Sequence, residues 1–134
     1  MNVTRVVVEG LGRLPAFSHA TVAGGFVYVS GTLGTLPGSM DLAPGGTGPE
    51  TTQTLRNIEK VLEACGAGFA DMMKVNVFLT DMSTFAAMNR AYMECLGADG
   101  PARITVGCAA LALGAAVEID CIAYIGSGAS VQGS

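Results

Sequence analysis

A chain of 134 residues, 50% of them hydrophobic and only 13% charged, is long enough for one domain around a single core. Its net charge of −4 and its seven scattered Lys and Arg argue against the basic face that nucleic acid requires. No uninterrupted apolar run approaches the roughly 18 residues of a membrane span, and Met1-Asn2-Val3-Thr4-Arg5 lacks the charged start and long apolar stretch of a signal peptide, so a cytoplasmic location is expected.

Val3 to Val8 reads as a strand from its β-branched content. His19 to Val22 and Gly25 to Thr32 read as the arms of a hairpin turning at Ala23-Gly24-Gly25. Leu36 to Pro49 is dense in Gly and Pro and reads as a long loop. Thr51 to Cys65 has helical spacing in Leu55, Ile58, Leu62 and Cys65, with Thr51 or Thr52 as cap and Gly66 as stop. Met73 to Thr80 alternates as a strand. Ser83 to Leu96 is a second helix with Phe85, Met88, Tyr92 and Cys95 on one stripe, capped by Ser83 and stopped by Gly97. Arg103 to Cys108 and Ala116 to Ile125 complete the strands. The expected domain covers residues 1–126, and the Gly/Ser-rich tail 127–134 is expected to be disordered.

Strand runs outnumber two helices that each have a single apolar stripe. The expected fold class is therefore α+β: one mixed sheet with both helices on one face. The final strand is apolar on both faces, through Ile119, Cys121 and Ala123 and through Ile122 and Tyr124. The charged fraction is about half the roughly 25% of an average globular protein. Both features point to association of copies through the bare sheet face.

Arg103 is the residue that points to chemistry. A guanidinium is permanently charged and its planar fork of donors matches a carboxylate. In so uncharged a chain, an Arg at the start of a strand either holds an acid or joins subunits. Arg103, Thr105 and Gly107 alternate with Ile104, Val106 and Cys108, and the second set is expected to face the core. Were this strand to pair with the next, Glu118 would approach Arg103; spacing leaves open a substrate site or an ion pair that only fixes the sheet. Ser30 and Gly31 end a strand, where they either meet a ligand or serve their own backbone. Asn89 lies one position beyond the apolar stripe of its helix.

Several chemistries find no support. Cys65, Cys95, Cys108 and Cys121 show no C-x-x-C spacing, and His19 is the one histidine, so structural zinc is not expected. The four thiols read as small buried hydrophobes. Neither phosphate-loop pattern occurs, and Lys60 and Lys74 sit in no pyridoxal-phosphate context.

Four segments, in order, resemble the RidA family of reactive-intermediate deaminases (also called the YjgF or UK114 family). Pro15-Ala16-Phe17-Ser18-His19-Ala20 resembles its P-[YF]-S-[QH]-A, and Val27-Tyr28-Val29-Ser30-Gly31 its V-x-V-S-G. Val77 to Met82 with Phe85 and Asn89 resembles V-F-L-T-D-M-x-x-F-x-x-x-N. Pro101 to Val106 through Val117-Glu118-Ile119-Asp120 resembles P-A-R-x-x-V…V-E-I-E. The resemblance implies a chorismate-mutase-like, YjgF-type fold and a homotrimer with clefts between subunits. It also implies hydrolysis of enamines and imines, such as 2-aminoacrylate, to 2-keto acids and ammonia without a metal or cofactor.

On this resemblance Arg103 would hold the carboxylate of a 2-imino acid and Glu118 would position or activate water. Ser30, Gly31, Asn89 and Thr105 would line the cleft, with Phe17 contributed across the interface. The chain departs from the pattern in Phe17, where many members carry Tyr, in Ala16, where Pro is usual, and in the apolar Gly107-Cys108-Ala109-Ala110. Other activities compatible with the family are a pathway-specific aminoacrylate deaminase and a non-catalytic small-acid-binding or chaperone-like trimer. Ribonuclease activity ranks last for an acidic chain.

Overall fold

The computed structural model describes residues 2–126. The tail expected to be disordered, residues 127–134, lies outside the described residues. The elements in chain order are β1 (Thr4–Val6), β2 (Ala20–Ala23), β3 (Phe26–Thr32), α1 (Thr47–Ala64), β4 (Met72–Leu79), α2 (Phe85–Leu96), β5 (Ala102–Gly107) and β6 (Val117–Tyr124). They form one six-stranded sheet of order β1-β2-β3-β6-β4-β5. Among the described residues only β4 and β5 run parallel; α2 makes the crossover that a parallel pair requires.

The β2–β3 hairpin turns where expected. Ala23 pairs with Phe26, and Gly24 and Gly25 take φ of +59° and +83°. Both central residues of this two-residue turn are in the region that glycine occupies without steric cost.

Helix α1 starts four residues earlier than its apolar spacing suggests. Thr47, Gly48 and Pro49, expected to be loop, form its first turn. The first N–H groups of a helix have no internal partner, so Pro costs little there. Gly46, not a threonine, occupies the cap, and Glu50 N–H reaches the Gly46 carbonyl at 3.0 Å. Thr51 lies inside the helix, fully buried, and its hydroxyl donates to the Thr47 carbonyl at 2.7 Å. At the other end Gly66 takes φ +76° and Ala67 N–H returns to the Leu62 carbonyl at 2.8 Å.

The cap before α2 also differs from expectation. Asp81 accepts from Ser83 N–H at 2.9 Å and from the Ser83 hydroxyl at 2.7 Å. A carboxylate two residues upstream therefore caps the 3-10 turn that leads into α2, and these bonds hold the Asp81 carboxyl below its ordinary range. Gly97 ends the helix at φ +79° as anticipated.

The core lies between one sheet face and both helices. Val27 and Val29 of β3, Val75 and Val77 of β4, and Ile119 and Cys121 of β6 meet Leu55, Ile58 and Leu62 of α1 and Met88 and Tyr92 of α2. The opposite sheet face carries no layer. Tyr28, Ile104, Val106 and Tyr124 remain 38–47% exposed there, and Phe26 packs against Tyr124 with ring centroids 4.8 Å apart and planes tilted by 51°.

One open possibility closes here and one expectation fails, each for a physical reason. Strand β6 inserts between β3 and β4, so it does not pair with β5; Phe78 of β4 stands opposite Glu118 on one side and Val106 on the other. The faces of β5 are also reversed. Arg103 and Thr105 stand opposite the buried Val75 and Val77 and face α2, whereas Ile104 and Val106 lie on the open face. Of the four thiols, Cys65 and Cys121 are buried, while Cys95 and Cys108 are only half-buried. Burial pushes the Cys65 thiol up to about 11, and burial with the nearby Asp120 charge pushes Cys121 up to about 12. Both are inert hydrophobes at neutral pH.

Candidate active site

The residues expected to act together divide between two hollows of the protomer. The first is a recess of about 210 Å³ under the edge of the sheet. Arg103 projects from edge strand β5 toward α2, where its Nη1 donates to Asn89 Oδ1 at 2.8 Å. Its Cζ lies 4.7 Å from the Tyr92 ring centroid and 5.7 Å from that of Phe85. Phe85, Asn89 and Tyr92 fall at i, i+4 and i+7 of one helix, so a single face of α2 supplies all three contacts. An aromatic face attracts a guanidinium electrostatically, and the amide fixes its rotation. Among the described residues the remaining guanidinium donors have no hydrogen-bond acceptor, and their planar fork matches the geometry of a carboxylate.

Two buried hydroxyls lie in this region without hydrogen-bond partners, Tyr92 Oη and Thr105 Oγ1. Each oxygen exposes less than 1 Å² and Thr105 does not line the recess, so neither hydroxyl is open to a ligand there in the protomer. Burial pushes the Tyr92 phenol above its ordinary value, while the neighbouring Arg103 charge pulls the other way. The sequence placed Tyr92 in a core stripe, and only its i+3 offset from Asn89 signals this second duty.

The second hollow, of about 480 Å³, contains Glu118 with Ser30, Gly31 and Phe17. Glu118 is on β6 and shares the open sheet face with Asp120, whose carboxylate accepts from Asn76 Nδ2 at 2.7 Å. Burial raises the Glu118 carboxyl above its ordinary value, and the Asp120 charge adds to the shift. Gly31 leaves room for it: a Cβ there would meet the end of the Glu118 side chain and push the carboxylate from its position. Ser30 is committed to the scaffold: its hydroxyl donates to the Ser18 carbonyl at 2.6 Å, leaving only acceptor capacity for a ligand.

His19 is also scaffold. Its Nδ1 accepts from Val8 N–H at 2.8 Å, and Nε2 lies 3.2 Å from the Gly12 carbonyl. These contacts require a neutral ring with its proton on Nε2, and they tie down the segment that carries Phe17. Arg13 braces the same segment, with Nη1 donating to the Leu14 and Phe17 carbonyls at 3.2 Å each. Phe17 stands at the rim, 41% exposed. Sequence reasoning passed over Arg13, since no spacing ties it to the other residues.

Arg103, Asn89 and Thr105 are therefore brought together on one side of the sheet, and Glu118, Gly31, Ser30 and Phe17 on the other. Strand β4 lies between β5 and β6, so the guanidinium and the Glu118 carboxyl do not meet within a protomer. Among the described residues no cluster of His, Cys, Asp and Glu could hold a metal ion, and no helix is long and apolar enough to cross a membrane.

A family model described as Endoribonuclease L-PSP matches residues 11–125. RutC family protein UK114 of Drosophila melanogaster is 41% identical over 111 residues, covering 83% of this chain and 80% of that protein. The 2-iminobutanoate/2-iminopropanoate deaminase of Capra hircus is 39% identical over 110 residues, covering 82% of this chain and 80% of that protein. The crystal structure of RidA from an Antarctic Psychrobacter superposes with a TM-score of 0.86 at 36% identity, covering 91% of this chain and 99% of that one. The family model takes in every strand but β1 and both hollows, and with the relatives it places the chain in the RidA/YjgF family.

Proposed function

We propose that this protein hydrolyses 2-imino acids and their enamine tautomers to 2-keto acids and ammonia, at sites completed between copies of the chain. The reading rests on one observation. A guanidinium fixed by Asn89 and Tyr92 and a carboxyl raised by burial occupy separate hollows, neither of which holds both groups. The activity named for the Capra hircus relative supplies the reaction class.

The chemistry follows from the groups. The Arg103 fork binds the substrate carboxylate by two parallel hydrogen bonds. This holds the C=N carbon next to the carboxyl group of Glu118 from a neighbouring copy. Glu118 takes a proton from water as the water oxygen bonds to the carbon of the protonated imine and the C=N π pair passes to nitrogen. It returns that proton to the amino group of the resulting carbinolamine, and as the C–N bond breaks and ammonia leaves, the hydroxyl proton passes to Glu118 and the C=O of the 2-keto acid forms. A carboxyl with a raised pKa suits both steps, since general acid–base catalysis works best near the operating pH.

The bare sheet face, with Tyr28, Ile104, Val106 and Tyr124 exposed, supplies the association surface. A trimeric ring about this face brings one copy's Arg103 hollow to the next copy's Glu118 hollow. Cleavage of RNA does not fit the net charge of −4 and seven scattered basic residues.

The test follows 2-iminopropanoate generated in situ from serine by a dehydratase, with pyruvate formation as readout. Wild type should accelerate the reaction, and Arg103→Ala should lose about a hundredfold in kcat/KM, from an anion left unpaired in a desolvated site. Carboxylate binding without acceleration would identify a binder rather than an enzyme.

A further inference from the structure

Among the described residues, the buried polar side chains gather on one helix. Thr47, Glu50, Thr51, Thr54 and Asn57 of α1 are each no more than 8% exposed. The Thr51 and Thr54 hydroxyls donate to carbonyls one turn back, at 2.7 Å each, and so serve the helix itself. Glu50 and Asn57 reach outward. They stand seven residues apart, on one face of α1.

These two side chains hold the two backbone segments that flank the Glu118 hollow. Asn57 Nδ2 donates to the Leu33 and Thr35 carbonyls at 3.1 and 2.9 Å, which ties down the chain that follows β3. Gly34 lies between them, so close to α1 that a Cβ on it would collide with the Glu50 backbone carbonyl. On the other side Glu50 Oε1 accepts from Ala116 N–H at 2.9 Å. The Ala116 carbonyl accepts from Thr80 N–H at 3.2 Å, so both backbone polar groups of Ala116 are pinned. Glu118 follows two residues later.

The anchor falls where the sheet gives least support. Strands β3 and β6 pair regularly as far as Val29 and Cys121, shift register across Ser30 and Gly31, and pair last at Thr32 and Ile119. Among the described residues, Val117 and Glu118 therefore have β4 as their one strand partner, through Leu79 and Phe78. The bond to Glu50 joins this end of β6 to a packed helix. A carboxylate is a costly way to fill a buried position, since an apolar residue of the same length would enter it without desolvating a charge. The apolar residue would leave the Ala116 N–H without an acceptor.

We propose that Glu50 is a positioning residue of the deaminase, which fixes the start of β6 through Ala116 and so sets the place from which Glu118 meets the substrate. The inference rests on the deaminase reading. A misplacement of about 1 Å can cost a reaction about a hundredfold in rate. Arg103 stands on β5 and is held by Asn89 of α2, away from this bond, so anchoring of the substrate carboxylate does not depend on Glu50.

Three variants separate the bond from the charge. In Glu50→Gln the amide oxygen still accepts the Ala116 N–H. Among the described residues no donor reaches the second oxygen, whose place the amide nitrogen takes. Glu50→Met keeps the length and loses the acceptor. Glu50→Asp keeps the charge and draws the acceptor back by about 1.5 Å. The readouts are kcat/KM for 2-iminopropanoate in competition with semicarbazide, Kd for pyruvate, and the sedimentation coefficient. Glu50→Gln should stay within about twofold of wild type in kcat/KM, whereas Glu50→Met and Glu50→Asp should each lose about tenfold or more. Pyruvate Kd should stay within about twofold in all three, because Arg103 holds its carboxylate. Ile58→Val loosens the core under α1 without touching this bond and should leave both quantities unchanged.

If Glu50→Met does not sediment as wild type does, Glu50→Asp decides. Three results overturn the inference and leave the deaminase reading intact: full activity in Glu50→Asp, a loss in Glu50→Gln as large as in Glu50→Asp, or an equal loss in Ile58→Val. Pyruvate binding that weakens in step with the rate also overturns it, since the whole seam has then been disturbed. A wild type that accelerates nothing overturns the deaminase reading, and the inference with it.

Discussion

Arg103 and Glu118 are tuned by different means. The guanidinium keeps its charge whatever surrounds it, so its environment acts on direction: Asn89 Oδ1 at 2.8 Å and the Tyr92 ring at 4.7 Å aim the free donors. Tyr92→Leu removes the ring and should raise KM about fivefold, equivalent to the roughly 1 kcal/mol of such a contact. Tyr92→Phe keeps the ring face and should restore most of this, an outcome that core packing alone would not separate from the phenol's own loss. Steady-state kinetics on 2-iminopropanoate distinguishes the two. Glu118 is tuned in its proton affinity instead, raised by burial and then by Asp120. Between the ordinary and the raised value, the folded state holds a proton that the unfolded state has released. Stability therefore falls as pH rises through that window, and the loss is complete above the folded value. Glu118→Gln removes the ionising group. It should be more stable than wild type at about pH 7.5, with the advantage gone near pH 4, below both values. Urea midpoints at one protein concentration check the sign, and the same variant should lose about a hundredfold or more in kcat as its acid–base group disappears.

At the scale of the element, β5 shows how apolar pattern and position in the sheet can disagree. Alternation in Arg103-Ile104-Thr105-Val106 correctly marks a strand with one apolar face, and that face was expected against the helices. The structure leaves Ile104 and Val106 exposed and turns Arg103 and Thr105 toward α2. Periodicity reports which residues share a face, not which layer covers that face. It found the strands, the hairpin turn at Gly24-Gly25, both helices and the apolar character of β6 on both sides. It could not show that β6 enters between β3 and β4, because strand order is set by long-range pairing that no local pattern encodes. The separation of Arg103 from Glu118 was hidden for that reason, although the residues themselves were legible through the family resemblance. Asn57 was missed because its side chain acts on the Leu33 and Thr35 carbonyls, and Thr51, expected as a cap, lies inside α1 and bonds the Thr47 carbonyl. The open face makes its own prediction. Ile104→Lys places a charge among Val106, Phe78 and Lys74 on a surface read as the contact between copies. It should shift the sedimentation coefficient from an assembly toward the protomer and abolish activity together with association. An unchanged coefficient would remove this face from the interface.

For the whole molecule, the question is whether catalysis belongs to the protomer or to the seam between protomers. The sheet forces the choice: β4 stands between β5 and β6, and the two groups proposed to act together project from opposite faces. No side-chain rotation in one copy can bring Arg103 to Glu118 through a hydrogen-bonded strand. Two inactive variants therefore carry complementary defects. Arg103→Ala lacks the anion fork but keeps its carboxyl, and Glu118→Gln keeps the fork but lacks the base. In a cyclic assembly each seam draws its fork from one copy and its carboxyl from the next. Unfolding an equal mixture and refolding it together randomises the copies, and about a quarter of the seams then receive both intact groups. The mixture should recover about a quarter of wild-type activity, far above either variant refolded alone. A cleft assembled within one protomer predicts no recovery at any mixing ratio, because every copy carries one defect. The ratio dependence adds a second check. Recovery should follow the product of the two mole fractions, peaking at equal proportions and vanishing at either end.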